Sequence, residues 1–205
     1  MGRHTEAKCK LCRREGEKLF LKGQKCTTEK CPFTRRSYAP GQHGKLPVRT
    51  SEYGIRLREK QKARRIYGLT EGQFEKYYDE ADSRKGATGE KLMEFLERRL
   101  DNVVFRAGLA PSRQAARQFI RHGGVKLNNK KTDIPSCRVE VGDMINVTDK
   151  MLPYVKRSRE MFPEHMPPVW IEVTGEAEAK VVAIPQRENI DTVLEDHLIV
   201  EYYSR

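Results

Sequence analysis

The chain has 205 residues, with 40 Lys and Arg against 29 Asp and Glu and a formal net charge of +11. That length suits one or two domains, and 37% hydrophobic with 34% charged residues gives a core under a dominant polar surface. No run of about 18 apolar residues exists, which excludes a membrane-spanning helix. The charged start Met1-Gly2-Arg3-His4 lacks an apolar signal core, which predicts a cytosolic chain with reduced cysteines.

A basic excess is a statement about partners: each neutralised phosphate releases a condensed counterion, so polyanions are favoured. The excess is graded. Residues 1–68 hold 19 basic and 6 acidic residues, a net of +13; residues 69–131 hold 13 and 9, a net of +4; residues 132–205 hold 8 and 14, a net of −6. The front half is expected to face nucleic acid, and the back half solvent or a basic protein neighbour.

Residues 1–45 show no hydrophobic period and read as an extension. Within it Cys9, Cys12, Cys26 and Cys31 follow the pattern Cys-x2-Cys, a gap of 13, then Cys-x4-Cys. Two close pairs separated by a fold-back suit one tetrahedral, structural zinc. An iron–sulfur cluster is the alternative occupant, which spacing does not separate. Either group would staple a segment that has no core of its own and present Arg3, Arg13, Arg14, Arg35 and Arg36 together. His43, between two glycines in a basic loop, is an RNA-contact candidate; its alternative is a turn-stabilising side chain.

A helical domain is predicted over 46–95. Ser51 caps a helix to about Tyr67, with Gly68 as its stop. Arg56, Arg58, Lys60, Lys62, Arg64 and Arg65 make it too basic to bury in protein, so they are candidate RNA contacts or a solvated face. Thr70 and Gln73 form a capping box, and Phe74, Tyr77, Tyr78 and Ala81 follow at helical spacing as core. A third helix begins near Thr88 and carries one apolar stripe to Ala107, ended by Gly108.

The second domain is predicted over 96–189. Ser112 caps a helix in which Arg113, Arg117 and Arg121 stand one turn apart. Ala115, Ala116, Phe119 and Ile120 form its buried side. Val125 and Leu127 alternate with Lys126, Asn128-Asn129 makes a turn, and Met144, Ile145 and Val147 form a further strand. Arginine suits phosphate because its planar fork bonds it bidentately. The candidates here are Arg99, Ser112, Arg113, Gln114, Arg117, Arg121, His122, Lys126 and Lys130. Trp170 reads as core, Cys137 as an inert core thiol, and Leu198 to Tyr203 as a last strand or extended segment. The segment 190–205 is expected to pack on the helical domain. The fold class is α+β: a metal-stapled N-terminal segment, a helical domain, and helices packed on a small bent antiparallel sheet.

Residues 98–147 resemble the small RNA-binding module called the S-four domain. The matching residues are Arg99-Leu100-Asp101, Ser112-Arg113-Gln114-Ala115-Ala116-Arg117, Ile120-Arg121-His122-Gly123, Val125-x-Leu127-Asn128 and Val141-Gly142-Asp143, and the module reaches to about residue 160. Four further features are similar to the S-four family of bacterial ribosomal small-subunit proteins, along essentially the whole chain. They are the spaced cysteines, Tyr38-x-Pro40-Gly41-Gln42-His43-Gly44, Leu57-Arg58-Glu59-Lys60-Gln61-Lys62 and Glu201-Tyr202-Tyr203-Ser204-Arg205. The cysteines place the chain among metal-binding members of that family.

The resemblance implies a non-enzymatic constituent of the small ribosomal subunit, in the cytoplasm, with no small-molecule substrate and no membrane partner. It implies binding to small-subunit ribosomal RNA at a five-prime-domain junction, early in assembly. It further implies contact with ribosomal protein S-five, proximity to messenger RNA at the entry channel, and a contribution to translational accuracy. The rival readings are an RNA-modifying enzyme or a ribosome rescue factor carrying the same module, and a zinc-finger-like DNA binder. Against them stand the absence of a nucleotide-binding motif, of a catalytic domain after Asp101, and of paired finger histidines.

Overall fold

A computed structural model describes residues 7–46 and 49–204. In chain order its main elements are α1 (Lys8–Glu15), α2 (Pro32–Arg35), α3 (Glu52–Ile66), α4 (Glu71–Asp82), α5 (Thr88–Glu97), α6 (Leu100–Arg106) and α7 (Arg113–Arg121). They continue with β1 (Val125–Leu127), β2 (Lys130–Thr132), β3 (Met144–Val147), α8 (Leu152–Met161), β4 (Ile171–Val173), β5 (Glu178–Val181) and α9 (Asp196–Tyr203). Two compact units form, Met1–Leu92 with Thr192–Arg205, and Met93–Asp191.

In the first unit, the Ser51 hydroxyl accepts the Gly54 N–H at 3.2 Å and starts α3. Gly68, at φ +66°, ends it in the left-handed conformation that a side chain disfavours. Thr70 and Gln73 close the capping box of α4. Phe74, Tyr78 and Ala81 are buried, as their spacing predicts, whereas Tyr77, expected in the same stripe, is only half-buried. Tyr203 of α9 stacks on Tyr78, ring centroids 4.3 Å apart, and lies 6.4 Å from Phe74.

Three expectations are corrected here. The basic helix α3 does bury: Lys60 is only 3% exposed, with its ammonium 2.5 Å from Glu71 and 4.4 Å from the Tyr202 ring centre. Its other cations find carboxylates too, most of them outside α3. Arg56 pairs with Glu201, Lys62 with Glu17 and Glu59, Arg64 with Glu71, and both Arg58 and Arg65 with Glu15. Leu198–Tyr203 is helical, not extended. Its β-branched and aromatic composition suggests a strand, but Ile199, Tyr202 and Tyr203 share a face at helical spacing, and α9 packs on α3.

The third correction concerns the cysteines. Among the described residues no group of three or more His, Cys, Asp or Glu is placed to hold a metal ion. Cys9, Cys12, Cys26 and Cys31 therefore form neither a zinc site nor an iron–sulfur site, and the extension is not metal-stapled. Three of these thiols are used as small buried residues beside Leu11, Leu19 and Leu21. Burial pushes Cys12 and Cys26 above the ordinary thiol range, against the thiolate that a metal requires, and the Cys26 sulfur accepts the Lys22 N–H at 3.3 Å. Cys31 moves down: amide N–H bonds from Phe33 and Thr34 outweigh the opposing effect of burial.

Polar contacts order the extension instead. Arg13 donates from Nε to the Tyr38 carbonyl at 2.9 Å, and its guanidinium lies 5.0 Å over the Tyr38 ring. At Gly44 a Cβ would stand 1.8 Å from the Ala39 carbonyl oxygen, so only glycine fits that turn.

In the second unit, the sheet has order β2-β1-β3-β5-β4 and every pairing is antiparallel. Its apolar face, with Val125, Ile145, Val147, Ala179 and Val181, packs with α6, α7 and the fully buried Trp170 into one core. The third predicted helix is two. At Arg98 and Arg99 the chain leaves helical geometry: the Leu100 N–H bonds the Cys137 carbonyl at 2.9 Å, and Val139 N–H bonds Arg98 at 2.9 Å. These partners lie about 40 residues downstream and carry no local signal.

Burial would raise the Glu71 carboxyl, but the hydrogen bond and charge of Lys60, with Arg64, hold it below the ordinary carboxylate value. Its stabilising contribution is therefore present above the unfolded carboxyl's titration and is lost as pH falls through the folded one. Glu71→Gln is expected to lose about 1–3 kcal/mol at pH 7, because it strands a buried ammonium. Urea unfolding should show the gap to the parent protein closing below about pH 4.

Candidate nucleic-acid interface

The helix α7 begins where the Ser112 hydroxyl accepts the Ala115 N–H at 3.2 Å. Ala116, Phe119 and Ile120 bury its apolar side, which leaves the three arginines on the remaining surface. They do not share one fate. Four-residue steps overshoot a 3.6-residue turn, so Arg121 is carried roughly 80° round from Arg113. Arg113 donates from Nε to the Asn102 side-chain oxygen at 2.7 Å and lies 4.7 Å over the Phe105 ring. Arg117 comes within 3.7 Å of Asp101. Arg121 is exposed.

The arginines that lean inward meet a buried acidic centre. Glu97, wholly buried, accepts from Nε and one terminal nitrogen of Arg106, both at 3.0 Å, and from the Asn102 amide at 2.8 Å. Arg99, 1% exposed, grips Asp101 bidentately at 3.0 and 2.6 Å. Arg99-Leu100-Asp101 is thus a structural clasp at the head of α6, and Asp101 has no open site in front of it.

Beyond α7, His122, Gly123 and Gly124 turn the chain into β1. Asn128 and Asn129, at φ +50° and +65°, make the tight turn into β2. The Asn128 amide donates to Asp143 at 2.7 Å and its oxygen accepts the Met144 N–H at 2.9 Å, fixing the loop. Lys126 lies directly opposite Lys131 across β1 and β2, and opposite Asn146 on β3. Val125 and Leu127 turn to the core, so Lys126 points to the other face. Lys130, Lys131, Arg121 and His122 are exposed, Lys126 is half-buried, and none of the described ion pairs involves these lysines or Arg121.

The other sequence candidates divide similarly. Arg14, Arg35, Arg36, His43 and Gln114 are exposed. Arg13 is spent on backbone carbonyls of the extension, Ser112 on the cap of α7, and the cations of α3 on carboxylates. Arg3 lies outside the described residues. Sequence reasoning passes over Lys131 as a site residue, and over α8, where Tyr154 is followed one turn later by Arg157.

Comparison with known proteins extends along the chain. Residues 3–97 match the family profile described as "Ribosomal protein S4/S9 N-terminal domain", and residues 98–145 match the "S4 domain". Among curated proteins, the "Small ribosomal subunit protein uS4" of Acetivibrio thermocellus is 54% identical over 208 residues. That of Heliobacterium modesticaldum is 53% identical over 208 residues, and that of Nitratidesulfovibrio vulgaris 50% over 208. In each case all of both chains is covered.

The two carboxylates on Arg106 should separate sharply on substitution. Glu97→Ala removes the buried partner of the Arg106 guanidinium, leaving it only the exposed Asp191, and is expected to lose about 3–5 kcal/mol. Asp191, 80% exposed at its side chain and 2.9 Å from Arg106, should lose no more than about 1 kcal/mol as Asp191→Ala. Denaturant unfolding monitored by the single tryptophan, Trp170, reads both.

Proposed function

The chain belongs to the uS4 family of small ribosomal subunit proteins, and from that premise we propose that its module grips ribosomal RNA through the lysine row of β1 and β2 and the end of α7. It is a structural, ribosomal-RNA-binding constituent of the small subunit, it works among ribosomal RNA and ribosomal proteins, and its role is not catalytic.

The observation that carries the proposed surface is the Lys126–Lys131 pair. Like charges directly opposite destabilise an antiparallel ladder, and no described carboxylate relieves this one. Phosphate oxygens between the two ammonium groups would remove the repulsion and release counterions. Arg121 and His122 extend the surface in the second unit, while Lys130, opposite Leu127, leaves the ribbon by its other face and offers a separate contact. Arg14, Arg35, Arg36 and His43 offer contacts in the first, with Gln114 as a polar contact. Arg99, Arg113 and Arg117 act on RNA indirectly, by holding α6 and α7 in place. The cations of α3 do the same in their unit.

The finer reading is carried by family membership. The RNA site is a five-prime-domain junction, bound early in assembly in the cytoplasm. A neighbouring surface meets ribosomal protein S-five near the messenger-RNA entry channel, where it contributes to translational accuracy.

The test is fluorescence anisotropy with a small-subunit five-prime-domain RNA fragment and a length-matched control RNA, across a salt series. The parent chain is expected to prefer the fragment at moderate salt. Lys126→Ala with Lys131→Ala should weaken binding and lower the slope of log K against log salt by about 1–2. Arg121→Ala should lower it by about 1, whereas Arg117→Ala should act chiefly on stability. Equal affinity for both RNAs at every salt overturns selective recognition, and an unchanged slope removes the lysine row.

A further inference from the structure

In the second unit, α7 and α8 face one another across an open cleft of about 300 Å³. Phe119, Met151, Met161, Tyr154, His122 and Arg157 are among the residues that line it. Tyr154 is 56% exposed, although its ring centre is 5.9 Å from that of Phe119, tilted by 54°. A large aromatic face is therefore held in place by a buried ring and left open to solvent. No carboxylate stands among the described residues lining the cleft, which carries Arg157 and His122.

The floor depends on Gly124. A Cβ there would come within 2.5 Å of the Met151 side chain and 3.0 Å of the Phe119 carbonyl oxygen. Any larger residue would force the Met151 side chain, which lines the cleft, to shift. Gly124 also carries the chain from His122, in the cleft lining, to Lys126, in the lysine row; Thr148 N–H bonds its carbonyl at 2.9 Å.

The geometry points to a site for a single unstacked RNA base, seated against Tyr154 and Phe119, with Arg157 and His122 at its phosphate or polar edge. This rests on the ribosomal-RNA reading and deepens it: the lysine row takes backbone, and the cleft takes one base of the same strand region. The volume is at the small end of the roughly 300–1,000 Å³ typical of ligand clefts, which suits one planar heterocycle. Bases splayed from folded RNA are recognised by stacking on aromatic side chains. A nucleotide fits a lining that carries the Arg157 guanidinium, a polar imidazole and no carboxylate, whereas an apolar side chain from a protein would make no use of them.

The full chain and Tyr154→Ala, Tyr154→Leu and Tyr154→Phe variants would be titrated against the same five-prime-domain RNA fragment, with thermal unfolding as a control for folding. Stacking on one base predicts that Ala and Leu each weaken binding about tenfold, Phe stays within about twofold, and all three keep the parental salt slope, because stacking releases no counterions. Leu keeps apolar bulk but not an aromatic face. A cleft that receives a protein side chain leaves the RNA affinity of all three variants at the parental value, and that result overturns the proposal while the lysine-row reading stands. A parent chain that does not prefer the fragment over control RNA overturns both.

Discussion

Glu97 and Asp101 are carboxylates inside a protein core, and the second unit is arranged around the need to neutralise them. A buried charge without a partner is strongly destabilising. Arg106 and Arg99 must therefore turn inward, and Asn102 must bring its amide to Glu97. These groups flank the break between α5 and α6. Satisfying them also sets the face that α7 presents, since Arg113 and Arg117 complete the same network. Packing of Leu100, Val103, Val104, Ala116 and Ile120 then has a fixed frame to fill.

The first unit solves the same problem with different parts. Glu15 receives Arg58 and Arg65, and Glu71 receives Lys60, Arg64 and the Tyr203 hydroxyl. The phenol of Tyr203 is pushed up by burial and then by the Glu71 charge, which keeps it a donor to that carboxylate. In both units the cations therefore fall into two classes. One class is structural, engaged with carboxylates. The other, around the β1–β2 ribbon and in the segment before α3, faces outward without such partners. Net charge counts the two together, and only the second is free to meet phosphate.

What the sequence discloses follows from the range of the interactions involved. The caps at Ser51, Thr70 and Ser112, the Asn128-Asn129 turn and the alternation of Val125, Lys126 and Leu127 depend on neighbours within a few residues, and these read correctly. Trp170 and the Phe74–Tyr78 stripe were legible as core because apolar bulk at regular spacing has few other uses. The break at Arg99 was not legible, since its backbone partners come from Cys137 and Val139. The same holds for Lys60, whose burial needs Glu71 and two tyrosines from α9. The cysteine spacing misled for a related reason: it states which residues can approach one another, while the burial of each thiol decides what it becomes. Of the candidate surface, Arg121, Lys126 and Lys130 were singled out from the sequence, whereas Lys131 and Tyr154 were not; what marks Tyr154 is the Phe119 ring behind it.

The lysines of the ribbon have one more role, set by their place in the sheet. With strand order β2-β1-β3-β5-β4, β2 is an open edge, and an open edge offers unpaired backbone groups to any passing strand. Lys130 and Lys131 put two exposed ammonium groups on that edge. Charged edge residues, lysine above all, discourage strand addition. The same two charges thus disfavour pairing of β2 with a strand from another chain.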